Sequence, residues 1–487
     1  AAAALAAPTY LTSASTATDS LPGPQVAKAG SLLFFTKNDA TLGHALWVSD
    51  GTPAGTHLVK AISPFATMVG AVGGVLLFNA DDALHGTELW RSDGTEAGTY
   101  LLADIEPGPN GSGGVISGVA LPNGRFVFQA RNAQYGAEVW ATDGTVAGTR
   151  LMKDIRPGSV NSLPQAWGKF GNKAAFQAFD DTNKLGLWLS DGTPEGTNLV
   201  KGFGTTGDPN TFIEFAGRLY FSARPTGYTH TWVSDGTTAG TQNINVETWR
   251  PVMECNGKYY FNTGVLHYID AVTRQRFELG RTTAREAACF NGVLYYRGSD
   301  SHGQELWRSD GTAAGTYLLL DINLGQADSF PTGFAQAGGY LLFKARSGAA
   351  GEELWRTDGT ASGTQLVRDI VPGSSSAGVG DLAVIGNVAY FTADTPGVST
   401  ELWMSDGTYA GTRPLREVYP PGVSPEGIVM VVNNKLFYVT APAKKAKELW
   451  VLHAGGGTVV EYYWPAKDHY FITADLDEIA KLDASTS

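Results

Sequence analysis

The sequence predicts an all-β fold built from a repeated four-stranded unit, on three observations. A tryptophan-centred motif, LWxSDGTxxGT, recurs eight times at nearly even spacing. Short β-prone runs alternate with tight-turn dipeptides between the copies, and the 3.6-residue period of an amphipathic helix is absent from them. Glycine is abundant, with 61 of 487 residues, and falls mainly at these turns. A long-period repeat therefore explains the composition.

The tryptophan anchors divide almost the whole chain into ten units of 36 to 50 residues. The eight good copies are centred on Trp47, Trp90, Trp140, Trp188, Trp232, Trp307, Trp355 and Trp403. Two degenerate copies have Tyr268 and Trp450 at the anchor position. Each unit contains four strands, which in the second unit are FATMVGAVG, VLLFNA, TELWRS and TYLLADI. This pattern predicts a β-propeller with one blade per unit. We favour a single ten-bladed ring, and two five-bladed rings are the alternative.

Composition excludes several classes of protein. The formal net charge of −12 and the lack of a dense basic run argue against a nucleic-acid partner. No apolar stretch reaches the roughly 18 residues that a membrane-spanning helix needs. Residues 1–28 begin with the Ala-rich AAAALAAPTY, which is typical of the region around a signal-peptidase site, so they are predicted to be an exported-protein segment. The propeller repeats occupy residues 29–458, and a C-terminal tail occupies residues 459–487.

The Asp of each motif is predicted to be structural. A calcium loop needs several oxygen ligands at alternating positions, whereas here one Asp is followed directly by Gly and Thr. Such an Asp suits a turn in which its side chain accepts hydrogen bonds from nearby backbone N–H groups. The turn residues are Asp50, Asp93, Asp143, Asp191, Asp235, Asp310, Asp358 and Asp406. The recurrent Asp of the DI element, as in Asp154, is expected to make a bond between blades.

Cys255 and Cys289 lie at nearly matching places in adjacent units, where the first strand enters its hairpin. Neighbouring blades bring equivalent strands close together, so a disulfide between them is predicted. Zinc binding is not expected, because no pair of histidines lies near the two cysteines.

The string ELWxSDGTxxGTxLVxDI resembles the repeat of the ELWxxDGT family of large secreted or surface proteins of bacteria, over about residues 29–460. The resemblance implies a repeat architecture and an exported location, and it carries no established activity. The turn is also similar to the Asp-box hairpin of sialidases, in which the Asp is structural. The tail from 459 to 484, with Asp468 to Ala474 carrying the match, resembles the start of a C-terminal domain of unknown function in secreted proteobacterial proteins.

The topology of a four-stranded unit separates its connections onto two faces. The turns from strand one to two and from three to four are short and share the turn face, whereas the loops from two to three and from four to one share the loop face. Binding residues concentrate on variable loops carried by a rigid scaffold. The candidates for ligand binding are Asp81, Asp82, His85, Asp180, Asp181, Asp300 and His302 in the loops, with Arg274 and Arg276 from an irregular unit.

Three hypotheses for function follow. The first is a secreted or cell-surface binding or structural module for a glycan or protein, acting through the loop face without catalytic residues or a required cofactor. Bound Ca²⁺ at the loop carboxylates is considered, and no metal ligands are assigned. The second is a sialidase- or lyase-like enzyme that uses loop carboxylates and the cluster from Arg274 to Arg285. The third is a homo-oligomeric surface-layer or filament subunit. The predicted location is extracellular, at the outer surface or in the periplasm.

Overall fold

The computed structural model describes residues 9–13, 25–39, 43–225, 227–247, 250–280, 282–415, 423–442, 447–453, 460–464 and 469–473. Within these ranges the only helices or strands are β-strands, and no helix is present. Ten four-stranded antiparallel sheets form a ten-bladed β-propeller, so the predicted all-β fold and its ten repeats are confirmed. No helix in the described ranges is long and apolar enough to cross a membrane. The Ala-rich start at 1–8 and the tail from 474 to 484 lie outside the described residues.

Blades 1 to 6 belong to one compact unit, Gln25–Val48 and Leu58–Arg281. Their strands, four to a blade and in chain order, are β2 (Val26–Ala29), β3 (Leu32–Asp39), β4 (Gly43–Ser49), β5 (His57–Ala61), β6 (Ser63–Val72), β7 (Val75–Asp81), β8 (Thr87–Ser92), β9 (Tyr100–Ala103), β10 (Gly118–Ala120), β11 (Phe126–Asn132), β12 (Gly136–Thr142), β13 (Arg150–Lys153), β14 (Gln165–Phe170), β15 (Lys173–Phe179), β16 (Leu185–Ser190), β17 (Asn198–Gly202), β18 (Asn210–Phe215), β19 (Arg218–Ala223), β20 (His230–Ser234), β21 (Gln242–Glu247), β22 (Arg250–Cys255), β23 (Lys258–Asn262), β24 (Leu266–Asp270) and β25 (Arg276–Gly280).

Blades 7 to 10 belong to a second unit, which comprises Ala1–Pro24, Ser49–His57 and Thr282–Ser487. A division into six and four blades differs from the alternative prediction of two five-bladed rings. The strands of this unit are β1 (Thr9–Ser13), β26 (Arg285–Phe290), β27 (Val293–Asp300), β28 (Gly303–Ser309), β29 (Tyr317–Leu320), β30 (Thr332–Ala337), β31 (Tyr340–Ser347), β32 (Gly351–Thr357), β33 (Gln365–Arg368), β34 (Ala383–Ile385), β35 (Val388–Thr395), β36 (Ser399–Ser405), β37 (Arg413–Pro414), β38 (Val423–Val432), β39 (Lys435–Pro442), β40 (Glu448–His453), and the hairpin β41 (Val460–Trp464) and β42 (His469–Thr473).

Blade 10 has an unexpected fourth strand. Its first three strands, β38, β39 and β40, follow one another in the chain, but the fourth is β1 from the N-terminal region. β1 pairs antiparallel with β40, with Thr9 opposite Val451. The prediction that each unit supplies its own four strands is therefore wrong for the last blade, and part of the predicted export segment belongs to the propeller.

The hydrophobic core lies between successive blades, because each blade presents buried side chains on both of its faces. Between blades 2 and 3, for example, Leu77 and Leu89 pack with Phe126 and Phe128, and all four are nearly inaccessible to solvent. The same arrangement recurs between blades 3 and 4 and between blades 4 and 5. Strands that are buried on both faces explain why the strand-two segments read as unbroken apolar runs rather than alternating ones.

The motif Asp forms the same hydrogen-bonded turn in all eight regular blades. One carboxylate oxygen accepts from the N–H and the Oγ1 hydroxyl of the Thr two residues later, at 2.6 to 3.0 Å. In blade 3 the side-chain bond from Thr145 is the largest influence, and it lowers the pKa of Asp143. These carboxylates are thus engaged within their own turns.

Both cysteines are disulfide-bonded, and because the chain has only two, the bond joins Cys255 to Cys289. This confirms the predicted disulfide. Cys255 is buried at the end of β22, one residue before a turn in which Asn256 and Gly257 both have positive φ. Cys289 lies near the end of β26, before the corresponding Asn291–Gly292 turn.

Candidate binding surface on the loop face

The loops from strand four to strand one are held in place by a buried glutamate that the sequence analysis did not single out. It is the Glu of the ELW motif in strand three, and in blade 3 it is Glu138. Its carboxylate accepts hydrogen bonds from the N–H groups of Ile155, Arg156 and Ser162 and from Ser162 Oγ, at 2.7 to 3.3 Å. Burial raises the pKa of Glu138 to about 7. The loop therefore begins and ends at fixed points.

A buried glutamate holds the following loop in other blades as well. In each case it stands two residues before the tryptophan, and this repeated spacing in the sequence could have revealed it. Glu88 accepts from Ser112 Oγ at 2.8 Å, and Glu305 accepts from Ser329 Oγ at 2.6 Å. Glu353 accepts from Ile370 N at 3.1 Å, and burial raises its pKa to about 7. The DI-element Asp acts within its own loop instead of between blades: Gly158 N donates to Asp154 Oδ2 at 3.1 Å.

The predicted acids of blade 2 stabilise their own loop. Asp81 accepts from Ala83 N at 2.7 Å. Asp82 accepts from His85 N at 2.8 Å and makes an ion pair with His85 Nδ1 at 2.7 Å. The hydrogen bond that the His85 ring donates to Asp82 raises the pKa of His85. Partial burial opposes ionisation of Asp82, but its bonds to His85 and Leu84 hold its pKa below the usual value. This cluster is a closed local network.

The predicted acids of blades 4 and 7 behave similarly. Asp180 Oδ1 accepts from Thr182 N, Thr182 Oγ1 and Lys184 N at 2.7 to 2.9 Å. Asp300 accepts from His302 N at 2.8 Å, and His302 Nδ1 lies 3.1 Å from the same carboxylate. Asp181 follows Asp180 in the same exposed loop. Within the described ranges, no three His, Cys, Asp or Glu side chains converge as a metal site would require.

A cleft of about 510 Å³ opens on the loop face between blades 4 and 5. Its walls come from β14, β15 and β16 of blade 4, the four-to-one loop that follows blade 4, and the two-to-three loop of blade 5. The lining residues are Gln165, Gln177, Phe179, Leu185, Thr205, Thr206, Asp208, Arg224 and Gly227. Phe179 and Leu185 flank the loop that contains Asp180 and Asp181, so these two predicted residues border the cleft. None of the predicted ligand-binding residues, Asp180 and Asp181 included, lines the cleft itself.

A chain of polar side chains crosses this cleft. Arg224 Nη2 donates to Asp208 Oδ2 at 2.9 Å, and Arg224 is half exposed. With its amide oriented to suit its neighbours, Gln177 donates to Asp208 Oδ1 at 3.2 Å and accepts from Gln165 Nε2 at 3.0 Å. Asp208 has a positive φ of 43°, in the left-handed region that Asp tolerates better than most residues. The result is a row of fixed planar polar groups beside an aromatic ring.

The predicted arginines, Arg274 and Arg276, belong to blade 6 and lie on the turn face, opposite the loop face. Arg274 is in the turn between β24 and β25, and Arg276 begins β25, which places both on the turn face. With Arg218 they line a second cleft of about 240 Å³. Arg285 is in β26, and Arg281 lies outside the described residues. The structure therefore does not bring Arg274 and Arg276 together with the carboxylates of blades 2 and 4, as the enzyme hypothesis requires.

Comparison with known proteins does not assign this chain to a family. No protein-family model and no curated protein matches the chain. A solved prolyl endopeptidase is similar to it over 67% of this chain and 54% of that one, with 13% identity and a TM-score of 0.34. A solved puromycin hydrolase is similar over 67% of this chain and 58% of that one, with 11% identity and a TM-score of 0.30. The propeller domain of the Trilobed protease from Pyrococcus furiosus is similar over 61% of this chain and 94% of that one, with 12% identity and a TM-score of 0.28.

The chain thus spans little more than half the length of the first two of these structures. At such identities and scores the similarities are no basis for assigning an activity.

Proposed function

We propose that this protein is an exported, non-catalytic β-propeller that binds glycans through the loop face. The observation that carries the proposal is the cleft between blades 4 and 5, where Gln165, Gln177, Asp208 and Arg224 form one polar chain. Fixed amide, carboxylate and guanidinium groups suit neighbouring sugar hydroxyls, because each offers two donors or acceptors in one plane. Phe179 supplies an apolar wall for a sugar ring.

The rigid support of the loops favours binding over movement. The four-to-one loop of the cleft follows blade 4, where Gly186 stands in place of the buried glutamate. Backbone bonds hold this loop instead, since Leu185 N donates to Gly204 O at 2.9 Å and Arg224 N donates to Gly207 O at 2.7 Å. Asp180 fixes the two-to-three loop beside the cleft. A preorganised site loses less conformational entropy when a ligand binds. Asp81 and Asp180 bond within their own loops, and Asp208 is paired with Arg224, which supports a binding role rather than an acid–base pair.

The exported location rests on two observations. The disulfide between Cys255 and Cys289 favours an oxidising compartment. The repeat also resembles the ELWxxDGT family of secreted and surface proteins, and we propose that this chain is a member.

A glycan array tests the proposal. We expect the wild-type protein to bind a defined set of glycans and Arg224→Ala to bind them at least about tenfold more weakly, because the variant loses charge-assisted hydrogen bonds. Arg346→Ala is a matched control, since Arg346 N donates to Ser329 O at 2.8 Å just as Arg224 N donates to Gly207 O at 2.7 Å. Arg346 is exposed but does not line the cleft.

Binding that survives Arg224→Ala unchanged, or that Arg346→Ala reduces equally, would contradict this site. The absence of any bound glycan would contradict the ligand class. Repeating the array with EDTA tests whether a cation contributes, and we expect no effect because Arg224 and the amides are the ligand-binding groups.

A further inference from the structure

The turn face of blades 5 and 6 contains a cleft that takes no part in the proposed glycan binding. It lies between blades 5 and 6 and has a volume of about 240 Å³. Arg218, Arg274 and Arg276 form its rim, and apolar side chains, including Val233 and Ile269, form its floor with Tyr220. Three guanidinium groups around an apolar floor form an unusual combination in a chain with a formal net charge of −12.

Two positions of the repeat distinguish this cleft from the corresponding places beside blades 2, 7 and 8. In those three blades the residue after the tryptophan is an arginine that reaches the next blade: Arg91 Nη1 donates to Gly144 O at 2.8 Å, and Arg356 Nη1 donates to Gly407 O at 2.7 Å. In blade 5 this residue is Val233, which is too short to fill that space. In blade 6 the facing turn has lost the Asp-Gly-Thr sequence and reads Ala271-Val272-Thr273.

The positive charge at the rim is poorly compensated. Arg218 Nη1 lies 3.9 Å from Asp235 Oδ2, a distant and partly exposed pair. Among the described residues, neither Arg274 nor Arg276 has an acidic partner within 4.0 Å. The nearby Asp270 is occupied by its own turn, where it accepts from Thr273 N at 2.8 Å. Like charges held at one rim repel each other, so an anion bound between them is favoured electrostatically.

Arg274 also has a strained backbone. Its φ is 58°, in the left-handed region, which costs a residue with a Cβ roughly 1 kcal/mol and which Asn and Gly tolerate better. Arg274 N donates to Asp270 O at 2.8 Å, so the tight turn itself imposes this conformation. A turn of this kind gains stability from Asn, and an arginine there is best explained by its side chain.

We propose that the cleft of Arg218, Arg274 and Arg276 binds a carboxylate that carries a compact apolar group. Guanidinium groups bind carboxylates through paired hydrogen bonds, and the apolar floor accepts the rest of such a ligand. Tyr220 forms part of this floor; burial raises its pKa, although Arg218 and Arg274 partly oppose that shift, so its ring remains neutral beside the anion. The site is independent of the glycan cleft on the opposite face.

Calorimetric titration with 3-phenylpropionate tests the site, with 3-phenylpropionamide and inorganic phosphate as comparison ligands. We expect the acid to bind, its neutral amide to bind at least about tenfold more weakly, and phosphate to bind weakly because it gains nothing from the apolar floor. Equal binding of acid and amide would overturn the role of the arginines. Phosphate binding as strong as that of the acid would overturn the role of the floor.

Two variants separate binding from folding. Arg274→Asn is expected to weaken binding of 3-phenylpropionate at least about tenfold while its unfolding midpoint stays equal or rises, since Asn relieves the strain. Arg276→Met should also weaken binding. Its matched control is Arg150→Met, because Arg150 begins strand four of blade 3 as Arg276 begins strand four of blade 6. Wild-type affinity in Arg274→Asn and Arg276→Met, or equal loss in Arg150→Met, would overturn the proposal.

Discussion

Ser162 donates two hydrogen bonds to Glu138, one from Oγ at 2.7 Å and one from the backbone N–H at 3.1 Å. Both residues are buried, and together they tie the end of a loop on the loop face to strand three of its blade. Equivalent pairs join Glu88 to Ser112 and Glu305 to Ser329. Together with Glu353 in blade 8, these glutamates anchor the loops that follow blades 2, 3, 7 and 8.

Replacement of Glu138 by Ala should destabilise the protein. The change removes the side-chain acceptor of Ile155 N–H and leaves Ser162 with only its bonds to Ala137 O, so we expect a loss of about 2 kcal/mol in the free energy of unfolding. Urea titration measures it. Glu96→Ala, in an exposed turn, is the control and should change the value by less than about 0.5 kcal/mol. Equal effects of the two changes would contradict the role of Glu138.

The buried glutamates predict a pH dependence of stability. Burial raises the pKa values of Glu138 and Glu353 to about 7, from an ordinary value of 4.5 in the unfolded chain. The folded state therefore binds more protons than the unfolded state between these values, and the free energy of unfolding falls as pH rises from 4.5 to 7. We expect a fall on the order of 1 to 3 kcal/mol per group.

The double variant Glu138→Gln, Glu353→Gln isolates this effect, because amides do not titrate. Its free energy of unfolding should depend less steeply on pH than that of the wild type between pH 4.5 and 7, as measured by urea titrations at several pH values. The pair of Asp82 and His85 is unchanged in both proteins, so its contribution cancels in the comparison. Identical slopes would contradict the raised pKa values.

The second glycine of the motif is predicted to be irreplaceable for steric reasons. A Cβ at Gly148 would lie 2.0 Å from Asp143 Oδ1, and the corresponding glycines of the other regular blades meet their Asp equally closely. Gly148→Ala should therefore cost at least about 3 kcal/mol in the free energy of unfolding. Gly202→Ala is the control, because a Cβ at Gly202 would meet nothing within 4 Å and the backbone there does not have a positive φ. Thermal unfolding of both variants compares the two costs.

Reduction of the disulfide between Cys255 and Cys289 should lower stability. The bond closes a loop of about 35 residues, for which chain entropy predicts a contribution of about 3 to 4 kcal/mol. Urea titration with and without reductant measures the loss, and a variant with both cysteines replaced by Ser should be insensitive to the reductant. A reductant effect in that variant would assign the loss to something other than this bond.

Much of the fold could be predicted from the sequence, because each blade carries its own turn chemistry. The Asp-Gly-Thr turns and the Asn-Gly hairpins are local, so their spacing gives strand order and blade number. β1 could not be predicted in this way: the segment Thr9–Ser13 carries no motif, and its place depends on the vacant position beside β40. Local patterns do not specify such long-range pairing.

The candidate sites were less predictable for a related reason. Asp82 and Asp180 stood out as acids in variable loops, yet their bonds are internal to those loops. The loop-face cleft joins Gln177, Asp208 and Arg224 from separate segments, and no spacing in the sequence links these residues. Arg274 and Arg276 were identified because their unit departs from the repeat, but their partner Arg218 lies in a regular one.

The pairing of β1 with β40 also sets an order of events during synthesis. The ribosome makes Thr9–Ser13 before any other strand of the propeller, but the partner strand emerges only after nine blades have been translated. Blade 10 therefore cannot be completed until β40 has been made, and contacts of such sequence separation form slowly. Its sheet needs strands from two distant segments of the chain, whereas each of the other four-stranded sheets can form from one continuous segment.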